Sequence, residues 1–287
     1  MTRKTPTRKD EHALRPVRAN LGLELAYRRQ LRALINEMAA SVEQAIRSAY
    51  RARPPKMAQD APPDASGFRE PRAQSPALAL RDAIRKLVAR WQQRFNDAAP
   101  KLAEYFSRAM ADRSDSALRA ILRDGGFSVR FKMTREMNDV LRATIEQQVG
   151  LIRSIPEQYL GKVQNAVMRS VQTGRDLATL TDEIEALGMV TRKRAAFIAR
   201  DQSNKSTSAL TRVRQVELGI TDAVWMHSHA GVAPRKTHVQ MDGKTYPLAK
   251  GMWDPAVQEY IFPGFLPNCR CVSRPILPGL AGKRESA

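Results

Sequence analysis

The spacing of apolar residues divides the chain into two unequal parts. From about Leu21 to Gly219, apolar side chains recur at intervals of three and four, which is typical of amphipathic helices. After Gly219 this pattern stops, and short strand-like segments separated by turn residues replace it. The sequence therefore predicts an α+β protein that is predominantly α. We expect an extended helical N-terminal and middle region, followed by a small mixed C-terminal domain with short strands.

Proline, glycine and charge subdivide the chain further. The predicted regions are a basic flexible arm at 1–20, a helical region at 21–124 with a proline-rich linker at 53–76, a helical middle region at 125–219, and a small β-containing domain with a His/Cys cluster at 220–287. Proline and glycine predict helix ends at Pro100, Gly125, Gly174, Gly188 and Gly219. Apolar and polar residues alternate from Phe127 to Met133, which predicts one short strand.

One predicted helix, at about 191–218, has an unusual centre. The run from Ala199 to Ser208, ARDQSNKSTS, is almost entirely polar, so this helix cannot be an ordinary core helix along its whole length. Two interpretations remain open. The run is either a solvated or interhelical hydrogen-bonding stretch, or a binding surface.

The charge of the chain points to an anionic partner. The formal net charge is +19, and residues 1–220 hold 40 Lys and Arg against 24 Asp and Glu. We expect nucleic acid to be this partner, with a membrane surface as the weaker candidate, and phosphate contacts would need no base-reading motif. The natural contacts in the arm are Arg3, Lys4, Arg8, Lys9, Arg15 and Arg18. Arginine-rich faces that are only solvated are the alternative, and the absence of a long apolar run predicts no membrane span.

Histidine and cysteine are concentrated near the C-terminus. His227, His229 and His238 lie within twelve residues, and Cys269 and Cys271 follow about thirty residues later. A small β region gains stability from a tetrahedral zinc site, with His238, Cys269, Cys271 and one of the first two histidines as ligands. Packed, hydrogen-bonded thiols and imidazoles are a second interpretation. A cysteine nucleophile with His238 as base and Asp242 as orienting group is a third.

Several short motifs in this region resemble one protein family. In order, they are Val224-Trp225-Met226-His227-Ser228, Pro234-Arg235-x-x-His238, Asp242-Gly243-Lys244, Pro263-Gly264 and Pro267-Asn268-Cys269-Arg270-Cys271. Their order and spacing resemble the C-terminal domain of phage Mu F-like head morphogenesis proteins, also known as the SPP1 minor head protein family. The preceding run at 192–205 looks like the helix before that domain, and the resemblance covers roughly residues 125–276. Phe265 departs from the acidic residue that commonly follows Pro-Gly in the family.

The resemblance implies a structural virion component rather than an enzyme. Such a protein acts in procapsid assembly in the host cytoplasm, at or near the portal, with portal protein, capsid or scaffolding protein and packaged DNA as partners. The family pattern also favours His227 over His229 as the fourth candidate zinc ligand. The competing hypothesis is a nucleic-acid-processing enzyme that uses His227, Arg235 and His238 as acid, phosphate clamp and base.

Overall fold

The computed structural model describes residues 14–52, 76–173, 177–229 and 233–277. Four long helices come first, and short strands follow with one short helix among them. The elements are α1 Leu21–Ala52, α2 Pro76–Asp124, α3 Arg135–Thr173, α4 Leu177–Glu217, β1 Asp222–Met226, α5 Lys236–Met241, β2 Thr245–Pro247, β3 Met252–Asp254, β4 Glu259–Ile261 and β5 Val272–Ile276. This order confirms the predominantly α, α+β class. Among the described residues, no helix has the length and hydropathy needed to cross a membrane.

The predicted helix ends at Pro100 and Gly188 are wrong, because both residues lie inside continuous helices. Pro100 removes one backbone donor, at a cost of about 3 kcal/mol. On either side of it, Phe95, Ala99, Ala103 and Phe106 are almost completely buried, and this burial offsets the cost. At Gly188, an added Cβ would lie 3.8 Å from the Cβ of Ala39, which is an ordinary van der Waals distance, so neither space nor backbone conformation requires a glycine here.

The predicted strand from Phe127 to Met133 is also wrong. Val129 and Phe131 do turn inward and pack against the cluster of Val17, Leu118 and Leu122. The segment nevertheless has no ladder partner, since the Lys132 carbonyl accepts a hydrogen bond from Arg214 Nη1 at 2.7 Å instead. Alternation therefore predicted the inward direction of Val129 and Phe131 but not of Phe127 and Met133, which are exposed. A strand also requires a neighbouring strand.

The structure describes only residues 14–20 of the predicted basic arm at 1–20. Residues 1–13 lie outside the described residues, and with them Arg3, Lys4, Arg8 and Lys9. The Leu14 amide donates to the Pro275 carbonyl at 3.0 Å, and Val17 is buried. Residues 14–20 are therefore packed on the protein, contrary to the prediction. The linker at 53–75 is likewise outside the described residues.

Contacts group the chain into two compact units. Unit 1 is formed by the described parts of Met1–Tyr27, Ala103–Gln147 and Phe197–Ala287, and unit 2 by those of Arg28–Leu102 and Gln148–Ala196. All described residues of unit 2 are helical, and its core contains the fully buried Ile35, Met38 and Phe95. Unit 1 contains helical segments and all five strands.

The strands lie in what we call the β region, residues 220–277 of unit 1. Its three-stranded sheet is antiparallel with the order β2-β1-β5, and β3 and β4 form a separate two-stranded sheet. In the central strand β1, Trp225 pairs with Ser273 of β5, and its side chain is completely buried. The Asp242-Gly243 turn joins α5 to β2, and the Gly243 amide donates to the Trp225 carbonyl at 2.9 Å. This turn therefore places α5 beside the central strand.

Candidate metal centre in the β region

Three chemically active side chains meet in the core of the β region. His238 comes from α5, and Cys269 and Cys271 come from the turn that leads into β5. Arg235, just before α5, donates from Nη2 to the Pro267 carbonyl at 2.9 Å and so ties this helix to the cysteine turn. The His238 ring packs edge-on against Trp225, with ring centroids 5.2 Å apart. All three candidate ligands are buried.

The spacing of the three ligand atoms suits a metal ion. His238 Nδ1 lies 3.4 Å from Cys269 Sγ and 3.7 Å from Cys271 Sγ, and all three atoms lie within 4.8 Å of one another. Tetrahedral zinc with ordinary Zn–S and Zn–N bond lengths separates sulfur from nitrogen by about 3.6 Å. The same distances also suit hydrogen bonds between thiols and imidazole. The group therefore fits zinc through three of the four predicted ligands.

His227 is not part of this group, contrary to the sequence prediction. The residue follows the last position of β1, and its amide donates to Asp242 Oδ1 at 2.8 Å. Its Nδ1 accepts from the His229 amide at 3.1 Å, and His229 Nε2 lies 3.0 Å from Asp242 Oδ2. Asp242 thus organises a separate surface cluster of two histidines, because the strand ends before it can direct His227 toward the thiols.

Sequence reasoning missed Asp254, which faces the other side of the His238 ring. Its Oδ2 lies 3.4 Å from His238 Nε2, and the carboxylate also accepts hydrogen bonds from Thr237 Oγ1 at 3.2 Å and from the Ala256 amide at 2.9 Å. A carboxylate on the second ring nitrogen commonly orients a metal-binding histidine. Asp254, rather than Asp242, therefore lies where it can orient the ring with Nδ1 toward the thiols, through a charge contact and not a hydrogen bond. No motif or spacing in the sequence marks this residue.

The two thiols differ in acidity because they share a proton. A hydrogen bond from Cys271, assisted by one from His238, lowers the pKa of Cys269 to about 4 against the opposing effect of burial. The hydrogen bond to Cys269, together with burial, raises the pKa of Cys271 above its ordinary value. Cys269 is thus the thiolate of the pair, which is the form that binds metals.

The arrangement Cys269–His238–Asp254 has the order of a nucleophile, a base and an orienting carboxylate. However, their exposed fractions are only 4%, 2% and 0%. Arg235 contacts a backbone carbonyl, and the His238 ring faces thiols rather than His227. The hypothetical acid His227, phosphate clamp Arg235 and base His238 therefore do not face a common substrate site. The geometry favours a structural or metal-binding role for the His/Cys group.

The polar run in α4 supports the cysteine turn. Asp201 Oδ1 accepts a hydrogen bond from the Asn268 amide at 2.7 Å, and Arg200 Nη2 donates to Asn268 Oδ1 at 2.8 Å. Asn268 has a φ of +61°, a left-handed conformation that asparagine tolerates better than most residues. The run is therefore a largely buried, hydrogen-bonding surface within unit 1. This outcome agrees with a hydrogen-bonding stretch and not with a solvated one.

The Pro263-Gly264 motif contacts the same part of α4. The Ser208 hydroxyl donates to the Pro263 carbonyl. Gly264 has a φ of +82°, and an added Cβ would lie 3.3 Å from the Ser208 Cβ. The motif thus provides a turn that lets the backbone approach α4 closely. Phe265, which departs from the family pattern, is 47% exposed, and Arg270 is exposed between the two buried cysteines.

The fold and site define a largely helical protein with a small His/Cys-centred β region. Residues 161–274 match the family described as Phage Mu protein F like protein, and this match supports assigning that part of the chain to the family. The chain is also 31% identical over 267 residues to an uncharacterized protein from Haemophilus influenzae. That alignment covers 92% of the chain and 55% of the relative, so the chain spans about half the relative's length. No solved structure matches the chain.

Proposed function

We propose that this protein is a minor head protein that acts in phage head morphogenesis. It joins the procapsid at or near the portal, with portal protein and capsid or scaffolding protein as partners, and becomes part of the virion head. The observation that carries this proposal is that the residues matched by the family are the ones that build the β region and its support in α4. The matched residues 161–274 include the polar run of α4 and all the motif residues that build the β region.

The net charge supports a second part of the proposal, contact with packaged DNA. A formal charge of +19 favours association with phosphate, and phosphate contacts give affinity without sequence preference. Arg15 is a weaker contact than the sequence predicted, since its guanidinium pairs with Asp124. Arg18 is exposed and remains a predicted contact.

The third part of the proposal is a structural zinc ion bound by His238, Cys269 and Cys271. When bound, zinc would link α5 to the cysteine turn and so add to the apolar core around Trp225 and Tyr246. Asp254 would orient His238 for this bond. A fourth ligand from outside this group of three would complete the tetrahedron.

Co-purification from assembling particles tests the head function. A tagged copy of the chain is expected to bring down portal protein from procapsids, and to lose it when residues 220–277 are deleted. A matched sample without phage infection gives the background. If the chain is absent from both procapsids and mature heads, the proposal is wrong.

Elemental analysis tests the zinc site independently of assembly. Purified chain is expected to hold about one zinc per molecule. His227→Ala is expected to leave the zinc affinity unchanged, because this histidine lies in the separate cluster with His229 and Asp242. Metal-free protein with an unchanged melting temperature after zinc addition would reject the zinc part, leaving a thiol and imidazole cluster held by hydrogen bonds.

A further inference from the structure

We infer that the outward face of the first part of α2, in unit 2, is a binding site for the phosphate backbone of double-stranded DNA. Four cations form this basic face: Arg81, Arg85, Lys86 and Arg90. The inference rests on the proposed DNA contact and assigns it to a different place from the N-terminal arm.

The distribution of charge between the two units is the first observation. The described residues of unit 2 include 17 Lys and Arg against 8 Asp and Glu. Those of unit 1 include 20 against 14, although unit 1 is the larger of the two. The net charge is therefore +9 on unit 2 and +6 on unit 1. An anion attracted by the whole molecule meets the higher charge density on unit 2.

The arrangement along α2 places the four cations on the exposed half of the helix. Ile84, Leu87 and Trp91 are buried, whereas the four cations of the basic face are exposed. They form two pairs with i, i+4 spacing, and at about 100° per residue the Arg81–Arg85 pair and the Lys86–Arg90 pair lie on opposite flanks of that exposed half, within about 14 Å of helix length. Several phosphates of one DNA strand fall within that length, since their axial spacing is about 3.4 Å.

Few acidic groups neutralise the basic face. Asp82 Oδ1 lies 3.5 Å from Arg81 and 3.7 Å from Arg85, so one carboxylate serves two guanidinium groups. Among the described residues, no acidic side chain pairs with Lys86 or Arg90. By contrast, Arg94, one turn further along, is paired with Glu37. The unneutralised charge therefore ends near Arg90.

A groove beside the basic face provides room for a phosphate strand. Its volume is about 410 Å³, and it is lined by Arg81 and Arg85 from α2 and by Gln164 and Met168 from α3, with Ile84 below. Two guanidinium groups and an amide can donate hydrogen bonds to phosphate oxygens. No base-reading arrangement is needed, which fits the non-specific contact expected of a protein packed with a genome.

A charge-matched pair of variants tests the site. The site variant combines Arg81→Gln, Arg85→Gln, Lys86→Gln and Arg90→Gln. The control variant combines Arg108→Gln, Arg119→Gln, Arg123→Gln and Arg135→Gln, which removes four exposed cations from unit 1 instead. Binding of both variants and of the unchanged protein to a 30-base-pair duplex is measured by fluorescence anisotropy over a series of salt concentrations.

We expect the site variant to bind at least about tenfold more weakly, and the slope of log affinity against log salt to decrease by about three to four, since each lost phosphate contact removes about one. The control is expected to weaken binding less than about threefold. If both variants lost the same affinity for the duplex, or if the site variant lost none, the basic face would not be the binding site, although the protein would still bind DNA. If the unchanged protein does not bind the duplex at low salt, the DNA part of the proposed function fails as well. Melting temperatures of both variants that equal that of the unchanged protein exclude misfolding as the cause of weaker binding.

Discussion

Unit 2 and the β region are stabilised in different ways. In unit 2, long helices bury large apolar side chains such as Ile35, Phe95 and Tyr159. The centre of the β region instead combines Trp225 with two thiols, an imidazole and a carboxylate, all buried. A helical unit of this kind derives its stability from packed apolar area, whereas a small β region depends on a few specific polar bonds. Removing one group should therefore have different consequences in the two regions.

Removing both thiols is expected to have the largest effect. Cys269→Ser with Cys271→Ser eliminates two of the three ligands, and a structural zinc contributes on the order of 10 kcal/mol to the folding of small domains. We expect the β region to become sensitive to protease while unit 2 keeps its helical signal. Limited proteolysis followed by mass spectrometry identifies the cleaved region. Ser228→Ala, a change outside the ligand set, is the control, and equal resistance in all three proteins would refute a bracing role for the thiols.

Truncation of a helical core residue should have the complementary effect. Phe95 is completely buried in unit 2, and Phe95→Ala should cost about 3–5 kcal/mol through lost burial and a cavity. Phe95 belongs to unit 2, whereas the β region belongs to unit 1. Thermal unfolding with and without a metal chelator measures it. We expect the same loss in both conditions, and a loss that depends on the chelator would contradict the comparison.

Asp254→Asn should have an intermediate effect that is confined to the β region. The amide is close in size to the carboxylate but lacks its charge, so it holds the His238 tautomer less firmly. We expect zinc affinity to fall by about 10- to 100-fold, as measured by competition with a chromophoric chelator. Asp242→Asn is the matched control, since Asp242 contacts His227 and His229 instead. Equal affinities for the two variants would show that Asp254 does not orient the ligand.

The smallest expected effect is on pH dependence in metal-free protein. Because the pKa of Cys269 falls from the ordinary 9.0 to about 4 in the folded state, unfolding takes up a proton between these values. The resulting stability is complete above pH 9 and is lost as pH falls toward 4. Denaturant unfolding should therefore show a less stable β region at pH 5 than at pH 8. The same pH dependence in Cys269→Ser would rule out this thiol as its source.

Local sequence patterns determined much of the fold. Spacing of three and four predicted the long helices, and the change after Gly219 predicted the β region with its strands near Trp225 and Val272. Pro100 misled the prediction because the burial on both sides of it is a property of the folded protein. Gly188 misled it because a single glycine costs a helix interior only about 1 kcal/mol. The segment from Phe127 to Met133 failed for a related reason, since a strand needs a partner that local sequence does not specify.

In the candidate site, too, the sequence determined some features and the tertiary structure determined others. Residue chemistry and motif order alone were enough to select His238, Cys269 and Cys271, since thiols and imidazoles are rare in this chain and lie close together in it. Only the tertiary structure separated His227 from this group, brought Asp254 to the opposite side of the imidazole, and placed the polar run of α4 under the cysteine turn. These contacts join residues from 15 to 67 positions apart, and such distances are set by how elements pack rather than by any local preference.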